Sequence, residues 1–304
     1  MKRKRNLSPS PEYDFSGGWI TTTSRTKLQP SQLITAKNIN ILEDGAAEVR
    51  GGYEKVSGVA FGTNIDRFIH FKMSDYDKII AYGGINVKRL DVGTPDVWTS
   101  LSNTMPDTND YRSMVVAKKM LYIGASDTTG VRKYYPDEAV LWPAGITKPT
   151  TKLTATEGGA GELTGDYYYY YTYYNTVTGE ESDPNPISDK ITVTAKRVTL
   201  SGFIASTDAQ VLKINIYRNT SGVSQSFYVG QKDNDTTNYT DECKDDDVGD
   251  EISFRNGIPP TSAVMLYHLN HMLYVDWNNP TRLYWSEPFM PGSVHANSYW
   301  DIES

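Results

Sequence analysis

The sequence predicts an all-β fold, and three observations carry that expectation. Among 304 residues there are 22 Tyr, 24 Gly and 15 Pro, a mixture of strand formers and turn formers with few helix-favouring blocks. Three segments resemble one another: KIIAYGGINVKRLDV followed by Trp98, KMLYIGASDTTGVRKYYP followed by Trp142, and HMLYVDWNNPTRLYWSEP followed by Trp300. Each reads as an apolar strand, a Gly/Asp/Asn/Thr turn, a second strand with an arginine, and a later tryptophan, which is the pattern of a two-stranded hairpin. Between the second and third segments, about seven short strand signals follow one another.

The spacing of the segments organises the chain. Ile80 and Leu121 are 41 residues apart, and Leu121 and Leu273 are 152 apart; removing a block of 111 residues, 148–258, brings the second interval to 41 as well. A period near 40–45 with short strands and aromatic marks belongs to propeller blades. The prediction is therefore propeller-like blade hairpins interrupted by an immunoglobulin- or fibronectin-like β-sandwich. Closed propellers take about 4–8 blades. Three repeats, with an N-terminal hairpin as an outer pair, imply a propeller that is incomplete or completed by a partner, because open sheet edges need cover.

In chain order, residues 1–16 read as a flexible basic tail, with Lys2, Arg3, Lys4 and Arg5 followed by Ser8-Pro9-Ser10-Pro11. Such a tail suits ordering on assembly, so its four cations are candidates for a subunit interface. Residues 17–147 hold the N-terminal hairpin, turned at Asp44-Gly45, and the first two repeats. The sandwich, 148–258, is entered through Lys148-Pro149 and left through Ile258-Pro259-Pro260, both natural linker points. Its strands are expected at 151–156, 166–175, 191–195, 197–203, 211–218, 226–232 and 237–241. Residues 259–304 carry the third repeat.

Seven tyrosines fall between Tyr167 and Tyr174. In one strand, Tyr167, Tyr169, Tyr171 and Tyr173 share a face, and Tyr168, Tyr170 and Tyr174 share the other. A sandwich has one inner face, so one set is core. The other set, Tyr168, Tyr170 and Tyr174, is open to a neighbouring subunit or to sugar rings.

Charge and motif content narrow the chemistry. The net charge is -7, but Asp233–Glu251 holds nine acidic residues and one lysine, so the rest of the chain is nearly neutral and lacks the basic stripe of a sequence-specific DNA reader. No apolar run approaches the ~20 residues of a membrane span, and the lone Cys243 allows no intrachain disulfide. A nucleophilic role for that thiol is disfavoured by its acidic surroundings. His268 and His271, three apart beside a strand, are expected on opposite faces and not as metal ligands. Asp233 and Asp235 begin like a calcium loop, but Asn238 stands where the turn glycine is needed, which reads as a solvated charged loop. No catalytic, cofactor-binding or metal residue is assigned, and the chain is not expected to be an enzyme.

The stretch DFSGGWITTTSRTKLQPSQLITAKNINILEDGAAEVRGGYEKV resembles the opening of tail hub, nozzle and head–tail connector proteins of short-tailed bacteriophages. The resemblance rests on Gly17-Gly18, Thr21 to Ser24, Leu28 with Pro30 and Gln32, Asn38, Asp44-Gly45, and Arg50-Gly51-Gly52-Tyr53. TGDYYYYYTYYNTVTGEESDPNPISD and VLKINIYRNTSG are similar to the sandwich insertion of some such proteins. The resemblance implies a virion structural protein of the tail, made in the host cytoplasm. It implies a homo-oligomeric ring around the genomic DNA, in contact with other tail or portal and adaptor proteins. Asp233, Asp235, Asp245, Asp246 and Asp247 then become the expected acidic lining of a channel that DNA slides through. The alternative is a glycan-binding adhesin whose exposed aromatics stack on sugars; a propeller glycosidase is the third reading.

Overall fold

The computed structural model describes strand backbones at 39–41 and 47–49, and residues 60–302 except 92–95, 102–104, 106–111, 126–129 and 137. All regular elements among the described residues are β-strands, paired antiparallel in sheets that do not close on themselves. The chain divides into two compact units, Met1–Val56 and Ser57–Ser304. In the first, β1 (Ile39–Ile41) pairs with β2 (Ala47–Val49), Ile41 opposite Ala47. The expected Asp44-Gly45 turn, the motifs at 17–18 and 50–53, and Lys2, Arg3, Lys4 and Arg5 lie outside the described residues.

The second unit contains three four-stranded meanders. The first runs β3 (Arg67–Lys72), β4 (Asp77–Gly83), β5 (Asn86–Asp91) and β6 (Val97–Ser100). The second runs β7 (Met114–Ala117), β8 (Met120–Ile123), β9 (Arg132–Tyr134) and β10 (Leu141–Pro143). Strands β11 to β16 intervene, and the third meander runs β17 (Val264–His268), β18 (His271–Val275), β19 (Arg282–Trp285) and β20 (Tyr299–Asp301). The three similar segments of the sequence are the middle strand pairs, β4–β5, β8–β9 and β18–β19. Their arginines, Arg89, Arg132 and Arg282, sit on the third strands, and Trp98, Trp142 and Trp300 on the fourth.

Apolar faces join the meanders side by side. Phe71, Ile80, Tyr82 and Val87 of the first pack with Leu121, Ile123, Tyr134 and Leu141 of the second, where the Tyr76 and Tyr134 hydroxyls also meet at 2.7 Å. The opposite face of the second, with Ala117, Met120 and Tyr122, packs on Met265, Met272 and Tyr274 of the third. Ser113 stitches that junction, its amide donating to Ala263 O at 2.8 Å and its Oγ accepting from the Met265 amide at 2.9 Å.

Strands β11 (Thr154–Tyr167), β13 (Ile191–Ser201) and β16 (Tyr239–Asp241) form one intervening sheet; β12 (Tyr169–Tyr174), β14 (Lys213–Asn219) and β15 (Ser226–Asp233) form the other. Both contribute to one core that includes Leu163, Val198, Leu200, Ile214, Ile216 and Val229. Seven strands were expected and six are found. The glycine-rich stretch after Thr156 lies within β11 as an irregular strand with shifted registers between Glu157 and Gly165. Gly161 is required there, because a Cβ would lie 2.7 Å from the Arg197 amide nitrogen of β13. The expected strands 191–195 and 197–203 are one strand, β13, marked by Ala195 at φ 54°. Leu212, expected inward with Ile214 and Ile216, precedes β14 and is exposed.

Two hairpin turns use left-handed backbone without glycine: Lys118-Lys119 (φ 49° and 63°) between β7 and β8, and Leu269-Asn270 (φ 46° and 67°) between β17 and β18. This is type I′ geometry, which favours Asn-Gly. Leu269 is largely exposed, so replacing Leu269-Asn270 with Asn-Gly forfeits little packing. The exchange is expected to raise stability by about 1 kcal/mol, read as a higher midpoint in chemical denaturation.

Candidate functional site

The tyrosine run is divided between two sheets. β11 ends at Tyr167 and β12 begins at Tyr169, and the chain crosses at Tyr168, whose amide donates to Asn219 Oδ1 at 2.7 Å. Alternation nevertheless holds through the crossing: Tyr167, Tyr169, Tyr171 and Tyr173 are all buried in the shared core. Their hydroxyls find acceptors, Tyr169 on Asp241 Oδ2 at 2.9 Å and Tyr173 on Ile204 O at 2.8 Å. Tyr168, Tyr170 and Tyr174 are half-buried on the other side. Tyr170 meets Phe254 edge-on at 5.7 Å.

Tyr174 lines a cleft of about 400 Å³ on the outer face of the β12–β14–β15 sheet, with Glu181, Asn215, Tyr217, Tyr228, Gln231, Gly249 and Asp250. Strand register explains the gathering, because Thr172 lies opposite Asn215 and Tyr217 opposite Tyr228. Glu181 is fixed at the centre. Its Oε1 accepts from Tyr217 Oη at 2.7 Å, from Asn215 Nδ2 at 3.0 Å and from Thr172 Oγ1. Gln231 Nε2 in turn donates to Asn215 Oδ1 at 2.7 Å. Burial first, and then the Glu181 charge, push the Tyr217 hydroxyl well above its ordinary pKa, so it stays a donor. Sequence reasoning missed Glu181, because a single carboxylate in a turn has no pattern until the strands bring its partners together.

The acidic stretch is largely engaged with the protein itself. Asp233 pairs with Lys213 at 2.6 Å and Asp235 with Lys232. Asp245 Oδ1 lies 2.5 Å from Arg218, whose Nε also contacts Asp241 Oδ2 at 2.7 Å; Arg218 and Asp241 are both fully buried. Asp246 and Asp247 are exposed. The three aspartates weighed for calcium thus face separate cations, and among the described residues no three ligand-type side chains group as a metal site. Lys232 and Thr237 hold the Asp235 carboxyl down at about 2, from an ordinary 3.8. Its stabilising contribution is therefore present above pH 3.8 and lost as pH falls through about 2. A carboxyl chemical-shift titration is expected to place its midpoint near 2, whereas a midpoint near 4 would mean that the Lys232 pair does not form.

Cys243 lies in the same stretch, and burial, followed by the Asp241 charge, pushes its thiol pKa up. His268 and His271, expected on opposite faces, are cross-strand partners on either side of the Leu269-Asn270 turn; His271 Nδ1 bonds Ser286 O at 2.6 Å.

A second buried pair docks the intervening sheets on the meanders. Lys133 of β9 bonds Ala144 O at 3.1 Å and pairs with Glu180, from the turn after β12. The Tyr122 hydroxyl points at the same carboxylate at 3.4 Å. Gln210 Nε2 adds bonds of 3.2 Å to Pro143 O and Gly145 O.

The third meander carries the most apolar open surface. Its inner face meets the second meander, while Val264, Leu266, Leu273, Val275, Leu283, Trp285 and Trp300 fall in register on the other face. Leu266 is 59% exposed and Trp300 67%, with the Trp285 ring 5.0 Å from it. Fold and faces define an all-β protein of antiparallel sheets with an open apolar sheet face and a carboxylate-centred aromatic cleft. No protein-family model and no curated protein matches the chain. Among the described residues, no helix is long and apolar enough to cross a membrane.

Proposed function

We propose that this chain is a structural protein of a short-tailed phage virion, a tail hub, nozzle or adaptor that forms a homo-oligomeric ring around the DNA path. In this reading the three meanders are successive blades of a partner-completed propeller, and β11–β16 are an immunoglobulin-like insertion. The protein has no catalytic task.

The observation that carries the reading is the open face of the third meander. Every other meander junction in the chain buries such a face against the next sheet, and a patch of this kind on a soluble surface marks an interaction site. A sheet of a second copy supplies matching chemistry. The buried Lys133–Glu180 pair fixes the insertion to the meanders, as a mechanical part requires. Native mass measured across micromolar concentrations, with negative-stain images, tests the reading. It expects a discrete species with a central hole.

The glycan-binding alternative draws on Tyr174, Tyr217 and Tyr228 around one cleft. Sugar binding on a glycan array by a strictly monomeric protein would favour it.

A further inference from the structure

The outer-face cleft has two carboxylates, Glu181 and Asp250, and no cation among its lining residues. All three hydrogen bonds to Glu181 land on Oε1; Oε2 takes none from a described residue. The nearest lysine of the same face, Lys213, is committed to Asp233 at 2.6 Å. Three tyrosine rings, Tyr174, Tyr217 and Tyr228, stand around that free oxygen's recess. Aromatic rings beside an uncompensated carboxylate suit a cation, which gains from the ring faces and the charge together.

A sugar would use the same rings, but it does not need a carboxylate left without a counter-ion. A phosphate or nucleic-acid backbone is excluded by the negative potential of Glu181 and Asp250. We infer that this cleft is a binding site for a guanidinium or primary ammonium side chain, presented by a basic peptide segment of a partner chain. The site stands on the cleft alone and does not depend on ring assembly. The sequence supplies one such segment, Lys2–Arg5, so a second copy is one source of the ligand.

The test is a calorimetric titration of the full chain with a synthetic peptide of residues 1–12, MKRKRNLSPSPE, and with its analogue carrying Gln at the four basic positions. Glu181→Gln is the informative variant. It keeps an oxygen for Thr172, Asn215 and Tyr217 to bond and removes only the charge, so the melting temperature is expected to stay unchanged. Tyr228→Ser removes one ring without touching Glu181. The basic peptide is expected to bind, the Gln analogue not to, and Glu181→Gln to weaken binding about tenfold or more. Equal binding to wild type and Glu181→Gln, or no binding at millimolar peptide, overturns the inference. Binding of a neutral oligosaccharide that Glu181→Gln leaves intact and Tyr228→Ser abolishes overturns it in favour of a sugar site. Because the titration reads the peptide and native mass reads the ring, failure of one is distinguishable from failure of the other.

Discussion

A chain carrying Trp300→Lys and Leu266→Asp is expected to remain folded and to lose self-assembly. Both side chains project from the open face of the third meander, so in a single copy they touch little and their replacement is expected to change stability by less than about 0.5 kcal/mol. In an assembly they would be the desolvated centre of the contact. Truncating a central tryptophan typically costs about 2–4 kcal/mol of association, and placing charges there adds the desolvation of a lysine and an aspartate. Sedimentation velocity is expected to show the oligomer replaced by monomer, with the circular dichroism melt unchanged. If the double variant assembled like wild type, the contact would have to use another surface.

The second large effect is expected inside the protein. Arg218→Ala removes the only cation printed on two carboxylates at once, fully buried Asp241 and half-buried Asp245. It also removes a guanidinium stacked 4.8 Å above the Tyr167 ring. Burial opposes the Arg218 charge, yet attraction to Asp241 and the bonds to Asp245 keep its pKa above the ordinary value. Without it, Asp241 stays buried with no counter-ion. Breaking such a pair from one side costs about 3–5 kcal/mol, and at about 2–4 °C per kcal/mol for a unit of this size the midpoint falls by roughly 10 °C. Asp241→Asn in the same background is expected to recover part of the loss, since it removes the orphaned charge. A thermal melt of the two variants checks both statements, and an Arg218→Ala midpoint within a degree or two of wild type would contradict the role of the pair.

Features that depend on side-chain alternation and local turns were readable from sequence. The odd-numbered tyrosines from Tyr167 to Tyr173 were separable from Tyr168, Tyr170 and Tyr174 because a strand has period two, and that period survives the crossing between sheets. The repeated hairpins were readable because turn residues and aromatics recur at fixed offsets. What escaped had a non-local cause. Glycines in 158–165 look like a loop, but Gly161 permits close approach to Arg197 on a partner strand 36 residues away. The Leu269-Asn270 turn was invisible because neither residue is the usual Gly, so His268 and His271 were placed on opposite faces. Arg218, Asp241 and Asp245 are scattered in sequence and met only in the folded core. For the same reason the acidic stretch read as free charge, although Asp233, Asp235 and Asp245 each face a cation. Glu181 and the open sheet face also needed the strand register before they could be seen.

The central claim is that the open face of the third meander is covered by a second copy. The most direct measurement replaces Trp300 with photoreactive benzoylphenylalanine, illuminates the chain at assembly concentrations, and maps the cross-linked peptides by mass spectrometry. The account expects cross-linked dimers whose second peptide comes from an apolar sheet face of another copy. Illuminated protein that stays monomeric at every concentration, with position 300 joined only to its own chain, would contradict it.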